Sequence, residues 1–103
     1  MMVPAKRFWE CGGFDAEALP VAYQDIDLCL KLRQKGYRVL FTPHARLYHY
    51  EGISKRPQDM DPRPAETLTF KTRWQKVIDY DPFYSPNLTR MAEDYSYRKK
   101  RVW

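Results

Sequence analysis

Apolar and polar positions along the chain divide into three helical patterns and two short runs of strand character. Between Tyr23 and Lys35, Ile26, Cys29, Leu30 and Arg33 share one side of a 3.6-residue period, and Leu28 and Leu32 form a neighbouring stripe, which predicts a helix. Asp25 and Asp27 fall in its first turn and Lys31, Arg33 and Lys35 near its end, the polarity a helix dipole favours. Gly36 is the expected left-handed stop. A shorter helix is expected from Pro4 to Cys11, halted by Gly12-Gly13, after which Gly13-Phe14-Asp15 opens a loop through Pro20. A third is expected from Glu66 to Tyr80, with Phe70, Trp74, Val77 and Ile78 on one face and Leu68, Thr72, Gln75 and Asp79 on the other. Asp81-Pro82 and Ser85-Pro86-Asn87 end it.

After Gly36 the pattern changes. Tyr37-Arg38-Val39-Leu40-Phe41-Thr42 is rich in β-branched and aromatic residues and predicts a strand, broken by Pro43. Ala45-Arg46-Leu47-Tyr48-His49-Tyr50 alternates and predicts a second extended piece. Residues 51–65 carry Gly52, Pro57, Pro62 and Pro64 among charges and predict a loop long enough to be a flap. The expected fold class is therefore α+β, with helices packed on a small sheet. Two strands with open edges are marginal alone, so the chain is expected to be part of something larger or one half of an oligomer.

Composition narrows the classes. In 103 residues there are 18 Lys and Arg against 13 Asp and Glu, a formal charge of +5, with 44% hydrophobic and 16% aromatic residues. That is an ordinary globular balance rather than a disordered one. No apolar run approaches the ~20 residues a membrane span needs, and no secretory h-region opens the chain. Cys11 and Cys29 are too few for a disulfide scaffold, so a reduced cytoplasmic setting is expected. The scattered basic residues and the absence of a nucleic-acid motif argue against a nucleic-acid partner, although a basic nucleic-acid-binding module or an oligomerisation domain is the alternative of a different class. Arg98-Lys99-Lys100-Arg101 is either a frayed charged tail or a contact for anionic lipid.

The sharpest chemical cluster is Gln24-Asp25-Ile26-Asp27, followed 24 positions after Asp25 by His49. A carboxylate at a helix start beside a loop can accept a proton from a bound hydroxyl. An imidazole is a good ligand for a divalent metal. The plainer reading is that both aspartates only serve the helix start and His49 only fills a strand face. A zinc site from Cys11, Cys29, His44 and His49 lacks close pairing of its cysteines, and Cys29 reads more simply as a core residue. Trp9 and Trp74 are expected core anchors.

The ordered series Gly12-Gly13-Phe14-Asp15, Gln24-Asp25-Ile26-Asp27-Leu28-Cys29-Leu30-Lys31-Leu32, Lys35-Gly36-Tyr37-Arg38-Val39, Thr42-Pro43 and His49-Tyr50-Glu51 resembles the C-terminal half of family 2 glycosyltransferases. These are inverting enzymes of the GT-A fold. Arg73-Trp74 and Asp81-Pro82-Phe83-Tyr84-Ser85-Pro86-Asn87-Leu88-Thr89 are similar to the downstream part of bacterial members that build surface polysaccharides. The resemblance implies that Asp25 is the catalytic base and that His49 completes a site for Mn2+ or Mg2+ holding the donor diphosphate. It also implies that Gly12, Gly13 and Phe14 line the sugar and acceptor pocket with Asp27, and that Ser54, Lys55 and Arg56 lie in a segment covering the diphosphate. Its partners would be a nucleotide-sugar donor and a glycan or lipid-linked acceptor, which places it in the cytoplasm or peripherally at the inner membrane face.

Three positions depart from the pattern: Gln24 where Glu is common, Lys31 where Arg is common, and Gly52 where Ser often follows the histidine. The donor-binding half with its Asp-x-Asp motif has no counterpart here. Asp25-Ile26-Asp27 belongs to the acceptor-side helix, and Asp59-Met60-Asp61 follows no strand. Residues 1–95 are thus expected to be the acceptor and metal side of a glycosyltransferase domain and 96–103 a basic tail. Alone the chain is expected to be inactive and to hide its apolar surface by forming a homodimer.

Overall fold

The structure is a computed structural model that describes residues 1–50 and 63–99. Three helices follow one another: α1 (Ala5–Glu10), α2 (Gln24–Gln34) and α3 (Pro64–Asp79). The chain forms two compact units, Met1–Arg73 and Trp74–Trp103. The division falls inside α3 where the backbone leaves helical values, at Trp74 with φ −114° and ψ 21°.

In the first unit, α1 and α2 end by the same device. The N–H of Gly12 donates to the Trp9 carbonyl at 3.0 Å and that of Gly13 to the Phe8 carbonyl at 2.9 Å. After α2, the Gly36 N–H donates to the Arg33 carbonyl at 2.9 Å and the Tyr37 N–H to the Leu32 carbonyl at 3.1 Å. Each pair is a Schellman closure, which needs a left-handed residue just past the helix. Gly12 and Gly36 supply it with φ of 81° and 87°. The two ends are tied together, because the Tyr37 hydroxyl donates to Glu10 Oε1 at 3.0 Å and the Arg7 guanidinium lies 4.5 Å from the centre of the Tyr37 ring.

The core is small. Leu19, Leu28 and Leu32 are buried in this unit, and Phe70 is buried on α3. One face of α3, carrying Glu66, Thr67, Phe70 and Arg73, meets the loop before α2 and the start of α2 itself. Tyr23 stacks on Phe70 with ring centres 4.8 Å apart and planes at 14°, and its hydroxyl is 2.8 Å from Thr67 Oγ1. Phe70 and Trp74 are both buried, as their shared stripe predicts. On α2 the buried side is the Leu28–Leu32 stripe; Ile26, on the neighbouring stripe, is half exposed.

The second unit holds the end of α3 and an irregular chain closed by one isolated antiparallel bridge, Leu88 to Tyr97. Around it the Thr89 N–H donates to the Ser96 carbonyl at 2.8 Å and the Arg98 N–H to the Asn87 carbonyl at 2.7 Å.

The expected α+β class, with helices on a small sheet, is not what the structure contains. That bridge is the entire β-pairing among the described residues. Residues 37–42 and 45–50 have strand composition but form no ladder. Strand propensity reflects packing on a pleated neighbour, and without one the same residues stay irregular. Val39, Leu40, Phe41, Leu47, Tyr48 and Tyr50 are consequently exposed. Trp9 is also not the expected core anchor, since it is 71% exposed on the six-residue α1. Among the described residues, no helix is long and apolar enough to cross a membrane.

Candidate functional site

The start of α2 is fixed by tertiary contacts rather than by its own cap. Tyr23, at the N-cap, makes no side-chain capping bond and sits in the left-handed region with φ 64°. The preceding loop is held from α3: Glu66 Oε1 accepts the Val21 N–H at 2.7 Å and the Ala22 N–H at 3.0 Å. Buried Glu66 lies one helical turn before Phe70 on the same stripe, and a carboxylate in an apolar stripe was the available sequence signal for this role. Gln24 adds a further tie, its side-chain amide donating to the Pro20 carbonyl. A glutamate there, with no N–H, could not make that bond.

The two aspartates of the first turn have opposite surroundings. Residues two apart on a helix point about 200° apart around its axis. Asp25 is exposed, and its Oδ1 accepts the Ile26 N–H at 2.9 Å. Asp27 is 1% exposed. Its Oδ1 is 3.0 Å from Arg73 Nη1 and its Oδ2 is 2.8 Å from Lys31 Nζ. The other Arg73 nitrogen, Nη2, lies 2.8 Å from Asp15 Oδ2. One planar guanidinium therefore joins the loop after Gly12-Gly13 to the buried face of α2, a geometry that a lysine cannot reproduce. The Ala18 N–H and then Arg73 hold the Asp15 carboxyl below its ordinary range, and Asp15 and then Asp27 raise the Arg73 guanidinium. Burial, followed by the nearby Asp25 carboxylate, pushes the Cys29 thiol up.

The glycine pair stands beside this network. Gly12 is exposed with open space around it. Gly13 is buried, with φ 70°, and a Cβ there would lie 3.1 Å from the Phe8 ring. Phe14 packs edge-on against Phe8 with ring centres 5.3 Å apart and is 42% exposed. Glycine at 13 thus suits both the left-handed backbone and the closeness of the Phe8 ring, which a Cβ would push against.

Other expected site residues lie elsewhere. His49 is in the exposed run 45–50. Ser54, Lys55 and Arg56 lie outside the described residues, as does part of the Arg98–Arg101 cluster. Among the described residues, no three His, Cys, Asp or Glu side chains converge to hold a metal ion. The described residues therefore do not fit a complete Mn2+ or Mg2+ site, nor the zinc set of Cys11, Cys29, His44 and His49.

No family model matches the chain, and no solved structure matches it. It is 37% identical over 99 residues to the uncharacterised protein y4gI of Sinorhizobium fredii, covering 92% of this chain and 11% of that protein. It is 33% identical over 100 residues to a Myxococcus xanthus protein named O-antigen biosynthesis protein RfbC, covering 89% of this chain and 7% of that protein. The chain spans about a tenth or less of the length of these relatives.

Proposed function

We propose that the chain is the acceptor-side part of an inverting, family 2-type glycosyltransferase that builds a cell-surface polysaccharide, and that it is inactive alone. The observation that carries this reading is the split between the two aspartates of α2. Asp27 is buried and held by Arg73 and Lys31, whereas Asp25 presents its carboxylate to solvent at the helix start. Only the second arrangement can reach a ligand. The ordered resemblance to family 2 enzymes and the relative named for O-antigen biosynthesis support the same class.

In this reading Asp25 accepts the proton of an acceptor hydroxyl. The acceptor oxygen forms its bond to the anomeric carbon as the bond from that carbon to the nucleoside diphosphate breaks, and a single displacement inverts the anomeric centre. Asp27, Arg73 and Asp15 act behind Asp25 by fixing the glycine loop against α2. Gly12, Gly13 and Phe14 then form one wall of the acceptor pocket. His49 can supply one ligand to a metal whose other donors lie beyond the described residues, and no step here depends on it.

The test is Asp25→Asn in the full-length protein. Loss of a general base costs roughly 10²–10⁴-fold in transfer rate. Nucleotide-sugar binding should be nearly unchanged. Transfer at the unsubstituted rate would remove Asp25 from the mechanism.

A further inference from the structure

The two tyrosines of the chain with positive φ are held there for different reasons. A bulky residue in the left-handed region is an outlier costing ~1–3 kcal/mol, maintained only when its surroundings fix it. At Tyr23 the cause is visible, since its ring stacks on Phe70 and its hydroxyl meets Thr67. Tyr95, with φ 56°, is instead 71% exposed. Its backbone is set by the closed loop of the second unit. Thr89 and Ser96 pair across the neck, and Asp94 Oδ1 accepts the Ser96 N–H at 3.0 Å. The result is an exposed aromatic face rather than a buried one.

That face borders an open cavity of about 480 Å³ lined by Tyr84, Ala92, Glu93 and Tyr95. The cavity is open to solvent: Ala92, Glu93 and Tyr95 are exposed and Tyr84 is half-buried, so it would hold one face of a ligand rather than enclose it. The Tyr84 and Tyr95 rings stand 6.2 Å apart with planes at 37°. Tyr84 is fixed from behind, its hydroxyl donating to the Thr89 carbonyl at 2.6 Å. Glu93, whose carboxylate can only accept, is among the lining residues.

We propose that this cavity binds a pyranose unit, with one apolar ring face stacked on Tyr95 and hydroxyl groups donating to Glu93. The electron-rich face of an aromatic ring attracts the polarised C–H groups of a sugar, and its flat apolar area shields them from water. A carboxylate accepts paired hydroxyls well. The choice of a sugar over an organic cation, which two tyrosines and a carboxylate would also attract, rests on the proposed glycosyltransferase reading. Within that reading, the second unit is a subsite for the growing glycan, outside the reacting pair.

The experiment is an NMR titration of the amide resonances of the full chain with the methyl pyranosides of glucose, galactose and mannose in turn. Saturable shifts at Tyr84 and at residues 92–95 with at least one glycoside are expected. Asn tolerates the left-handed backbone, so Tyr95→Asn removes the ring and keeps the turn, which the Thr89 and Ser96 signals report. It should weaken binding about tenfold or more, a loss of ~1.4 kcal/mol. Tyr95→Phe should bind as the unsubstituted chain does, and Glu93→Gln several-fold less well. Absence of saturable shifts with all three glycosides overturns the proposal, as do saturable shifts produced only by tetramethylammonium or unweakened binding by Tyr95→Asn. The readout needs no sugar transfer, so failure here leaves the Asp25 test intact, and failure of that test leaves glycoside binding measurable.

Discussion

Replacing Arg73 with methionine removes the shared partner of two carboxylates while keeping most of the side-chain stem. Asp27 is 1% exposed and has Arg73 at 3.0 Å and Lys31 at 2.8 Å. Removing one partner of a buried pair costs ~3–5 kcal/mol, because the other charge stays out of water. Two features lower that figure here. Lys31 remains beside Asp27, and the Arg73 side chain is 31% exposed, so solvent already screens part of its interaction. The expected loss is ~2 kcal/mol. Asp27→Asn keeps an oxygen for Arg73 to donate to and should cost ~1 kcal/mol. The double variant should lose less than the sum of the two, by ~1 kcal/mol. Urea unfolding followed by helical circular dichroism measures this. With a slope of ~1–2 kcal/mol/M, Arg73→Met should lower the midpoint by ~1–2 M. If the two losses add to within ~0.3 kcal/mol in the double variant, the contact has no energetic weight and the reasoning fails.

The same network predicts a pH dependence. The Asp15 carboxyl is held low by the Ala18 N–H and by Arg73, so the unfolded chain binds its proton at higher pH than the folded one. Its stabilisation is complete above the ordinary carboxylate range, near pH ~4, and fades as pH falls through the depressed folded value. Asp15→Asn should flatten that acid limb in urea titrations run at successive pH; an unchanged limb would assign the effect to other groups. The glycine pair gives a contrast between neighbours. Gly12→Ala meets open space and should cost only the left-handed penalty of ~1 kcal/mol, whereas Gly13→Ala also drives a methyl to 3.1 Å from Phe8 and should cost ~2–3 kcal/mol. Equal melting shifts for the two variants would contradict the packing argument.

What could be read in the sequence was what is settled within one turn of chain. The helices and their glycine stops follow from periodicity and from left-handed geometry, both local, and α1, α2 and α3 lie within a few residues of expectation. Contacts between distant segments were less visible. Asp27 looked like a first-turn charge or a substrate ligand, because its partner Arg73 lies 46 positions away. The interleaving of Arg73 with the apolar Phe70–Trp74 stripe was the clue. Trp9 looked like a core residue because large apolar groups usually are, but a six-residue helix offers little to bury it against. Residues 37–42 and 45–50 carried a strand pattern whose realisation depends on a second strand, which periodicity in one segment cannot supply.

Those unladdered residues have a consequence for how the chain behaves at high concentration. Val39-Leu40-Phe41 is a run of three exposed apolar side chains with no competing backbone pairing. Within the strand-prone segment 37–42, such an exposed run is a site where copies of the chain can pair edge to edge. No native ladder stands in the way here, so restraint falls to the residues that flank the run. Arg38 and Arg46 place like charges in every stacked copy, and Pro43 removes an N–H that a growing fibril would need. Charges and prolines in these positions are the residue types that oppose such stacking.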